Sequence, residues 1–347
     1  MTTDVIRGNG ADRLEKVLRS PAVTRRQRPS PVTSCILRVA LTLLGASCVA
    51  FWIFAGSRPR TTGDLGAERV FMVIAVGSAP GHLEQRQMHR LNYDDYKNSP
   101  GSERVVTAFF TEPTEETVEE QRRYGDVVFN PGEGGYQDFA ARGRQHLAWA
   151  LETYDFDYYL RLDDDGVLCL DRLVHQLKAV NSAPETSMLF WGKYWCERGR
   201  SRADENFMLF SRSLAVYMHN LLAHVKLSGS TFALDVGAYL IQMKDVIIID
   251  DRGQIDSQQG YVTPYMRKPF DDKLMGDYQR FCKAHIWAHH VQSVDVMRAA
   301  IEGRMMMKEE GEAGGSFGYL DPVPTFLPPN ETCGARYSYN LNSFFAM

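Results

Sequence analysis

Hydrophobic positions along this chain fall into short runs separated by polar stretches long enough to be helices. Arg69 to Gly77 (RVFMVIAVG), Val105 to Phe110 (VVTAFF), Tyr124 to Phe129 (YGDVVF) and Tyr158 to Leu162 (YYLRL) have the length and the β-branched or aromatic content of buried strands. Between them Leu83 to Tyr96, Glu115 to Arg123 and Asp138 to Thr153 are helix-permissive. This alternation predicts an α/β domain, a mostly parallel sheet with helices on both faces. Further on, Met188 to Tyr194 and Asn206 to Ser211 predict two more strands. Phe232 to Met243 is apolar around Gly237, a glycine placed where a side chain would crowd a neighbour. From Ala299 onward, GEAGGSFG and DPVPTFLPPN predict a loop-like, peripheral segment, and no internal repeat is present.

One apolar run is of a different kind. Ile36 to Gly56, ILRVALTLLGASCVAFWIFAG, carries a single charge, Arg38, near one end, and Trp52 near the other. As a helix it would span roughly 31 Å, about one hydrocarbon core. The segment before it is basic, with eight Lys or Arg against three acids in the first 38 residues. The positive-inside rule then predicts a cytosolic tail over 1–35, a transmembrane signal anchor over 36–56 and a short stem over 57–68. A catalytic or binding domain over 69–298 and the segment 299–347 would lie outside the cytosol. A cleaved signal peptide fits less well, because the region before the apolar run is long and no small-x-small cleavage site follows Trp52.

The other compositional features narrow the setting. A net charge of −4 gives no sign of nucleic-acid binding. Cys35 and Cys48 belong to or border the membrane run, which leaves Cys169, Cys196, Cys282 and Cys333 for an oxidising compartment, where four cysteines allow three pairings. No Cys/His spacing points to zinc. Asn330-Glu331-Thr332 is an N-glycosylation sequon in a Pro-rich stretch.

The candidate chemistry sits at the end of the fourth strand. Asp163, Asp164 and Asp165 follow Leu162 directly, and three adjacent carboxylates repel one another unless a cation or several donors sit among them. The carboxyl edge of parallel strands is where open α/β sheets bind ligands, and an oxygen-rich cluster there suits a hard cation. The plainer alternative is a solvated turn capping a helix at Asp171, with Leu170, Leu173, Val174 and Leu177 as its apolar stripe.

Three stretches in order resemble the β1,3-galactosyltransferase family, glycosyltransferase family 31, which includes the Fringe enzymes. Glu120 to Arg142 is similar to the family's glutamate, YGD and Y-x-N-L-x-x-K pattern, with Tyr124, Gly125, Asp126 and Tyr136 matching and Asp138 and Arg142 standing for Asn and Lys. Arg161 to Leu168, RLDDDGVL, resembles K-x-D-D-D-x-F, and Asp271 to Gly276, DDKLMG, resembles E/D-D-V-x-x-G. Phe232 to Tyr239 keeps Gly237 and Tyr239 of the step between them but departs from Y-P-x-Y-x-x-G elsewhere. No I-R-x-T-W element follows the first strand, although Arg86 and Arg90 stand near its place.

The resemblance implies a GT-A nucleotide-sugar-binding fold and an inverting, Mn²⁺-dependent hexosyltransferase (Mg²⁺ being the other candidate cation). The donor would be a UDP-sugar and the acceptor a hydroxyl of a glycan, glycoprotein or glycolipid, in a type II Golgi or other secretory-pathway membrane protein. It gives Asp165 the metal, Asp163 the ribose or a metal-bound water, and Asp164 an orienting role. A histidine among His285, His289 and His290 would complete the metal site, His290 first and His289 next. Asp272, beside Asp271, would be the general base. Asp126, Arg142, Gly237 and Tyr239 would lie on the donor side, and Trp191 would either line the sugar pocket or belong to the core. Two other functions compete: a glycan-binding protein that has lost turnover on the same fold, and a metal-dependent phosphohydrolase, which would need further acidic or histidine ligands near the first strand.

Overall fold

The computed structural model describes residues 68–130, 139–180, 187–197, 200–224, 231–240, 242–243, 245–251, 255–256, 281–291, 293–307 and 326–327. The run Ile36 to Gly56, Tyr136, Asp138, Asp271, Asp272, Cys333 and Asn330 lie outside them. Among the described residues no helix is long and apolar enough to cross a membrane.

The first four strands are β1 (Glu68–Gly77), β2 (Val105–Thr111), β3 (Val127–Phe129) and β4 (Tyr154–Asp163). They form a continuous parallel block in the order β3-β2-β1-β4. Crossovers run through α1 (Leu83–Lys97), α2 (Glu115–Tyr124) and α3 (Phe139–Thr153). The predicted third strand begins later than expected. Tyr124 closes α2, and Gly125 adopts φ +73° as its left-handed C-cap, leaving only Val127 to Phe129 for the ladder. At the other end of α2, Thr114 and Thr117 form a reciprocal capping box.

After β5 (Val167–Leu168) and α4 (Leu170–Val180) the sheet continues with β6 (Met188–Glu197) and β7 (Arg200–Ser211), an antiparallel hairpin whose second strand pairs antiparallel with β4. Helices α5 (Arg212–Leu222) and α6 (Phe232–Leu240) follow. Then come β8 (Val246–Asp250), parallel to β6, and the last strand of this sheet, β11 (Phe326–Leu327), antiparallel to β8. The eight-stranded sheet is therefore parallel in one half and mixed in the other, in the order β11-β8-β6-β7-β4-β1-β2-β3.

Strands buried on both faces read as unbroken apolar runs because alternate side chains go to opposite layers. Val73, Ala75 and Tyr159 pack in the layer containing Leu147 of α3, Leu214 of α5 and Phe232 of α6. Met72, Ile74, Val76, Tyr158, Leu160 and Leu162 face the other layer, with Tyr93 of α1 and Leu173 and Leu177 of α4. The apolar stretch around Gly237 is helical, and its Phe232 lies where a Cβ on Gly143 would meet it at 2.4 Å, so α3 and α6 pack through that glycine.

A second, three-stranded sheet, β5-β10-β9, is built from β5, β9 (Ile255–Asp256) and β10 (Trp287–Ala288), the last following the short helix α7 (Phe281–Ala284). Chain beyond it forms α8 (Val294–Met307), which continues through Ala299, the start of the segment expected to be loop. Ala299, Ala300, Ile301 and Arg304 are buried, so this helix belongs to the domain, and a boundary at 298/299 cuts through it. The guanidinium of Arg304, 1% exposed, pairs with Asp171 of α4 and, at 2.6 Å, with Asp95 of α1, while donating to the Asn92 carbonyl at 3.1 Å.

Candidate active site

The register of the parallel block fixes where the acidic triplet lies. Gly77 is paired with Phe110 on one side and Asp163 on the other, so Asp163 to Asp165 emerge at the carboxyl edge shared by β1, β2 and β4. There the three carboxylates part company. Asp164 turns toward the loop after β1, where Ser78 Oγ donates to it at 2.5 Å and His82 Nδ1 lies at 2.9 Å. Burial raises its pKa, offset in part by those two partners. Asp163 and Asp165 face the opposite way.

On that side the second sheet delivers two histidines. Trp287 and Ala288 pair antiparallel with Leu168 and Val167, the Ile286 carbonyl accepts from the Cys169 amide at 2.8 Å, and the Val291 amide donates to the Asp165 carbonyl at 2.8 Å. Gly166 is needed for this approach, because a Cβ there would meet the Trp287 ring at 2.3 Å and the Ala288 carbonyl at 2.5 Å. A Cys169–Cys282 disulfide ties the same two segments together, resolving one of the open pairings. His290 adopts φ 60°, unusual for a residue with a side chain and costly enough to mark a held conformation.

As a result His289 Nε2 lies 3.0 Å from Asp165 Oδ1 and 3.7 Å from Asp163 Oδ2, and His290 Nδ1 lies 3.1 Å from Asp165 Oδ2. The ligand atoms of Asp165, His289 and His290 all fall within 4.8 Å of one another. Burial works against a charged His289, but the Asp165 and Asp163 carboxylates outweigh it and raise its pKa. Burial also works against the Asp165 carboxylate, and the two histidines more than compensate, lowering its pKa. Asp163 keeps a raised pKa, with burial dominant over the help of Arg161 and His289.

These residues fit a divalent cation. Asp165 Oδ1 is buried with His289 Nε2 3.0 Å away, and its Oδ2 has His290 Nδ1 at 3.1 Å. A carboxylate oxygen and two ring nitrogens within 4.8 Å of one another are spaced as ligands of one ion are. Two imidazoles with carboxylate oxygen form a set better matched to Mn²⁺ than to Mg²⁺, which takes oxygen almost exclusively.

Behind Asp164 stands a chain of buried charges. Arg86, fully buried, directs Nη1 to Ser78 Oγ and the Ala79 carbonyl, Nη2 to the Pro80 carbonyl and Glu120, and Nε to Glu120. Glu120 is shared at 2.7 Å with Arg90, which forms a two-pronged pair with Asp126. Asp126 thus serves this chain and reaches the triplet only through it. Arg142 pairs with Glu112 at 2.6 Å. The Gly237 carbonyl accepts from the buried Tyr194 hydroxyl at 2.8 Å, and Tyr239 packs against the core layer of α3, α5 and α6. Trp191 is a core residue with no exposed surface, donating to Asp251 at 3.2 Å. Among the sequence-predicted residues that the structure describes, Asp163, Asp165, His289 and His290 form one cluster with Asp164 adjoining; Asp126, Arg142, Gly237 and Tyr239 have the separate partners just given.

Sequence reasoning missed Ser78, His82, Asn206 and Glu205. His82 lies five residues past the end of β1, so a histidine stands near the first strand, against Asp164. Glu205 and Asn206 arrive through the antiparallel pairing of β7, which sets Phe207 opposite Leu162. Arg161 pairs with Glu205 at 3.2 Å and with Asp163 at 3.4 Å, and Asn206 meets His289. No spacing rule links residues 206 and 289, so no sequence signal could have paired them.

An acidic triplet at the carboxyl end of β4, with two histidines beside it, lies where open α/β sheets bind their ligands. Comparisons with known proteins carry this further. No protein-family model matches the chain. The mouse protein β-1,3-galactosyltransferase 6 is 25% identical over 291 residues, covering 79% of this chain and 87% of its own length. The zebrafish UDP-GalNAc:β-1,3-N-acetylgalactosaminyltransferase 2 is 29% identical over 94 residues, 27% of this chain and 19% of that protein. The chain is thus related to the β1,3-glycosyltransferases, as its motifs imply, and is a glycosyltransferase. Among solved structures, a glycosyltransferase of PBCV-1 major-capsid glycosylation aligns over 67% of this chain and 99% of its own, at 13% identity and TM-score 0.39. The galactosyltransferase LgtC aligns over 67% and 95%, at 11% identity and TM-score 0.36.

Proposed function

We propose that this protein is a GT-A-type inverting hexosyltransferase that moves galactose or an N-acetylhexosamine from a UDP-sugar to a hydroxyl of a glycan, glycoprotein or glycolipid. The observation that carries this reading is the convergence of Asp165, His289 and His290, with Asp163 at hand, at the carboxyl edge of β4 in a chain related to β1,3-glycosyltransferases. Asp165, His289 and His290 would hold Mn²⁺. When bound, the cation would neutralise the negative charge that grows on the nucleoside diphosphate as it departs.

The chain's own residues divide the remaining work. Asp163, half-buried and beside the cluster, would by resemblance contact the ribose or a metal-bound water. Asp164, tied to Ser78 and His82, fixes the turn that carries its two neighbours. By resemblance, Asp272 would take the proton of the acceptor hydroxyl, with Asp271 beside it, since one carboxylate within hydrogen-bond reach suffices. The run Ile36 to Gly56 would anchor the protein as a single-pass type II protein of the Golgi or another secretory-pathway membrane, with the enzyme domain luminal.

The test is UDP release by the full chain in detergent micelles, with Mn²⁺ and a panel of UDP-sugars and glycan acceptors. We expect one donor to be consumed, and Asp165→Ala to abolish turnover while the variant stays folded. Glycan binding with no consumption of any donor would overturn the transferase reading in favour of a glycan-binding protein.

A further inference from the structure

A second inference rests on that cation site and concerns how one of its ligands is held. Asn206, 8% exposed, lies on β7 one residue before Phe207, the partner of Leu162, which brings its amide to the end of β4. The amide nitrogen is 2.7 Å from Nδ1 of His289, itself 6% exposed. On the far side of the same ring, Nε2 stands 3.0 Å from the buried Oδ1 of Asp165.

A neutral imidazole has one proton to place, and a nitrogen that binds a cation must be the bare one. A carboxamide can meet Nδ1 with either end, the two being related by a half-turn of the side chain. With the amide nitrogen toward Nδ1, the ring proton sits on Nε2, facing Asp165. With the amide oxygen toward Nδ1, the proton sits on Nδ1 and the lone pair of Nε2 faces the cluster. Ligating histidines in general are fixed in this second way. His290 differs: it approaches Asp165 through Nδ1, from a side chain 34% exposed and a backbone in the left-handed region.

We propose that Asn206 is a positioning residue of the cation site. Accepting a hydrogen bond from Nδ1 of His289, it selects the tautomer whose Nε2 ligates and makes His289 the stronger of the two histidine ligands.

The experiment uses the full chain in micelles and Mn²⁺ alone, with free Mn²⁺ read by electron paramagnetic resonance and folding checked by near-UV circular dichroism. Asn206→Leu should weaken Mn²⁺ binding about 10- to 100-fold, the usual cost of losing such a partner. Asn206→Asp, which keeps an oxygen on Nδ1 and little altered shape, should bind at least as tightly as the parent. His289→Ala should weaken binding more than His290→Ala. In a His289→Ala background Asn206→Leu should add less than twofold, and in a His290→Ala background its full effect should persist. Parent-like binding by Asn206→Leu, an Asn206→Asp variant as weak as Asn206→Leu, or an Asn206→Leu effect undiminished without His289 would each overturn the proposal. Absence of Mn²⁺ binding by the parent protein would instead sink the cation site on which it rests.

Discussion

The two flanks of the acidic triplet are built on opposite principles. On the amino-terminal flank, Ser78, Arg86, Glu120, Arg90 and Asp126 form a closed charge network in which Asp164 is the last member, and it is pinned from the same side by His82. On the carboxyl-terminal flank, two short strands, a disulfide and a left-handed histidine bring two imidazole nitrogens to the Asp165 carboxylate. The first flank is bound up in ion pairs within the protein and holds a shape. The second gathers one carboxylate and two imidazoles at a point where a single ion would be shared among them. In a single acidic cluster the difference separates a carboxylate that supports from carboxylates that bind.

Substitutions can break that contrast, and the largest effect should come from the closed flank. Glu120→Leu leaves Arg86 buried without its carboxylate partner, and should cost about 3–5 kcal/mol of folding stability in urea unfolding. Asp165→Asn should do the reverse. It should cut turnover about 10²–10³-fold, equivalent to about 3–4 kcal/mol on the barrier, while stability stays within about 1 kcal/mol of the parent. Equal stability losses in the two variants would mean that the flanks do not differ in kind.

The disulfide sharpens the open flank. It joins residues 113 positions apart, so a Cys169→Ser/Cys282→Ser double variant should lose about 2–4 kcal/mol. That variant should also bind Mn²⁺ more weakly, because β10 and its histidines are no longer tied to β5. Stability lost without any change in Mn²⁺ affinity would detach the bridge from the site.

A pH profile tests the seam between the flanks. His89 Nε2 donates to the Asp164 carbonyl at 3.0 Å and its Nδ1 accepts from the Tyr93 hydroxyl at 3.3 Å, so the ring is held neutral, and burial lowers its pKa to about 4. A depressed base is protonated earlier in the unfolded chain than in the folded one. Its contribution is therefore present above the unfolded pKa of about 6.5 and lost as pH falls from there toward 4, at about 1.4 kcal/mol per pH unit. His89→Gln should flatten that slope in stability measured from pH 7 to 4. An unchanged slope would place the acid sensitivity elsewhere. Ser78→Ala, which removes only the bridge between Arg86 and Asp164, should have the smallest effect, about 1 kcal/mol in stability and a few-fold in turnover.

Much of the scaffold could be read from local pattern. The four parallel strands and the helices between them are declared by apolar runs and turn residues, and the triplet's place follows from its position at the end of one run. What the pattern could not reveal came from long-range pairing. Tyr124 is apolar enough to seem part of a strand, but the left-handed freedom of Gly125 ends a helix there. Ala299 onward resembles loop because its stabilising contact, Arg304 with Asp95 and Asp171, lies more than a hundred residues away in the chain. Asp126 matches a family motif, yet its partner is Arg90 on α1.

The sequence alone determined the kind of sheet and the acidic edge, because each rests on residue chemistry and near-neighbour spacing, whereas the candidate histidines came from the family resemblance. Only the tertiary structure decided that Asp164 faces away from Asp163 and Asp165, that Cys169 pairs with Cys282, and that Asn206 stands behind His289. Those outcomes depend on strand register and on which segments a sheet edge brings side by side. They are properties of the folded packing, which no local stretch of the chain encodes by itself.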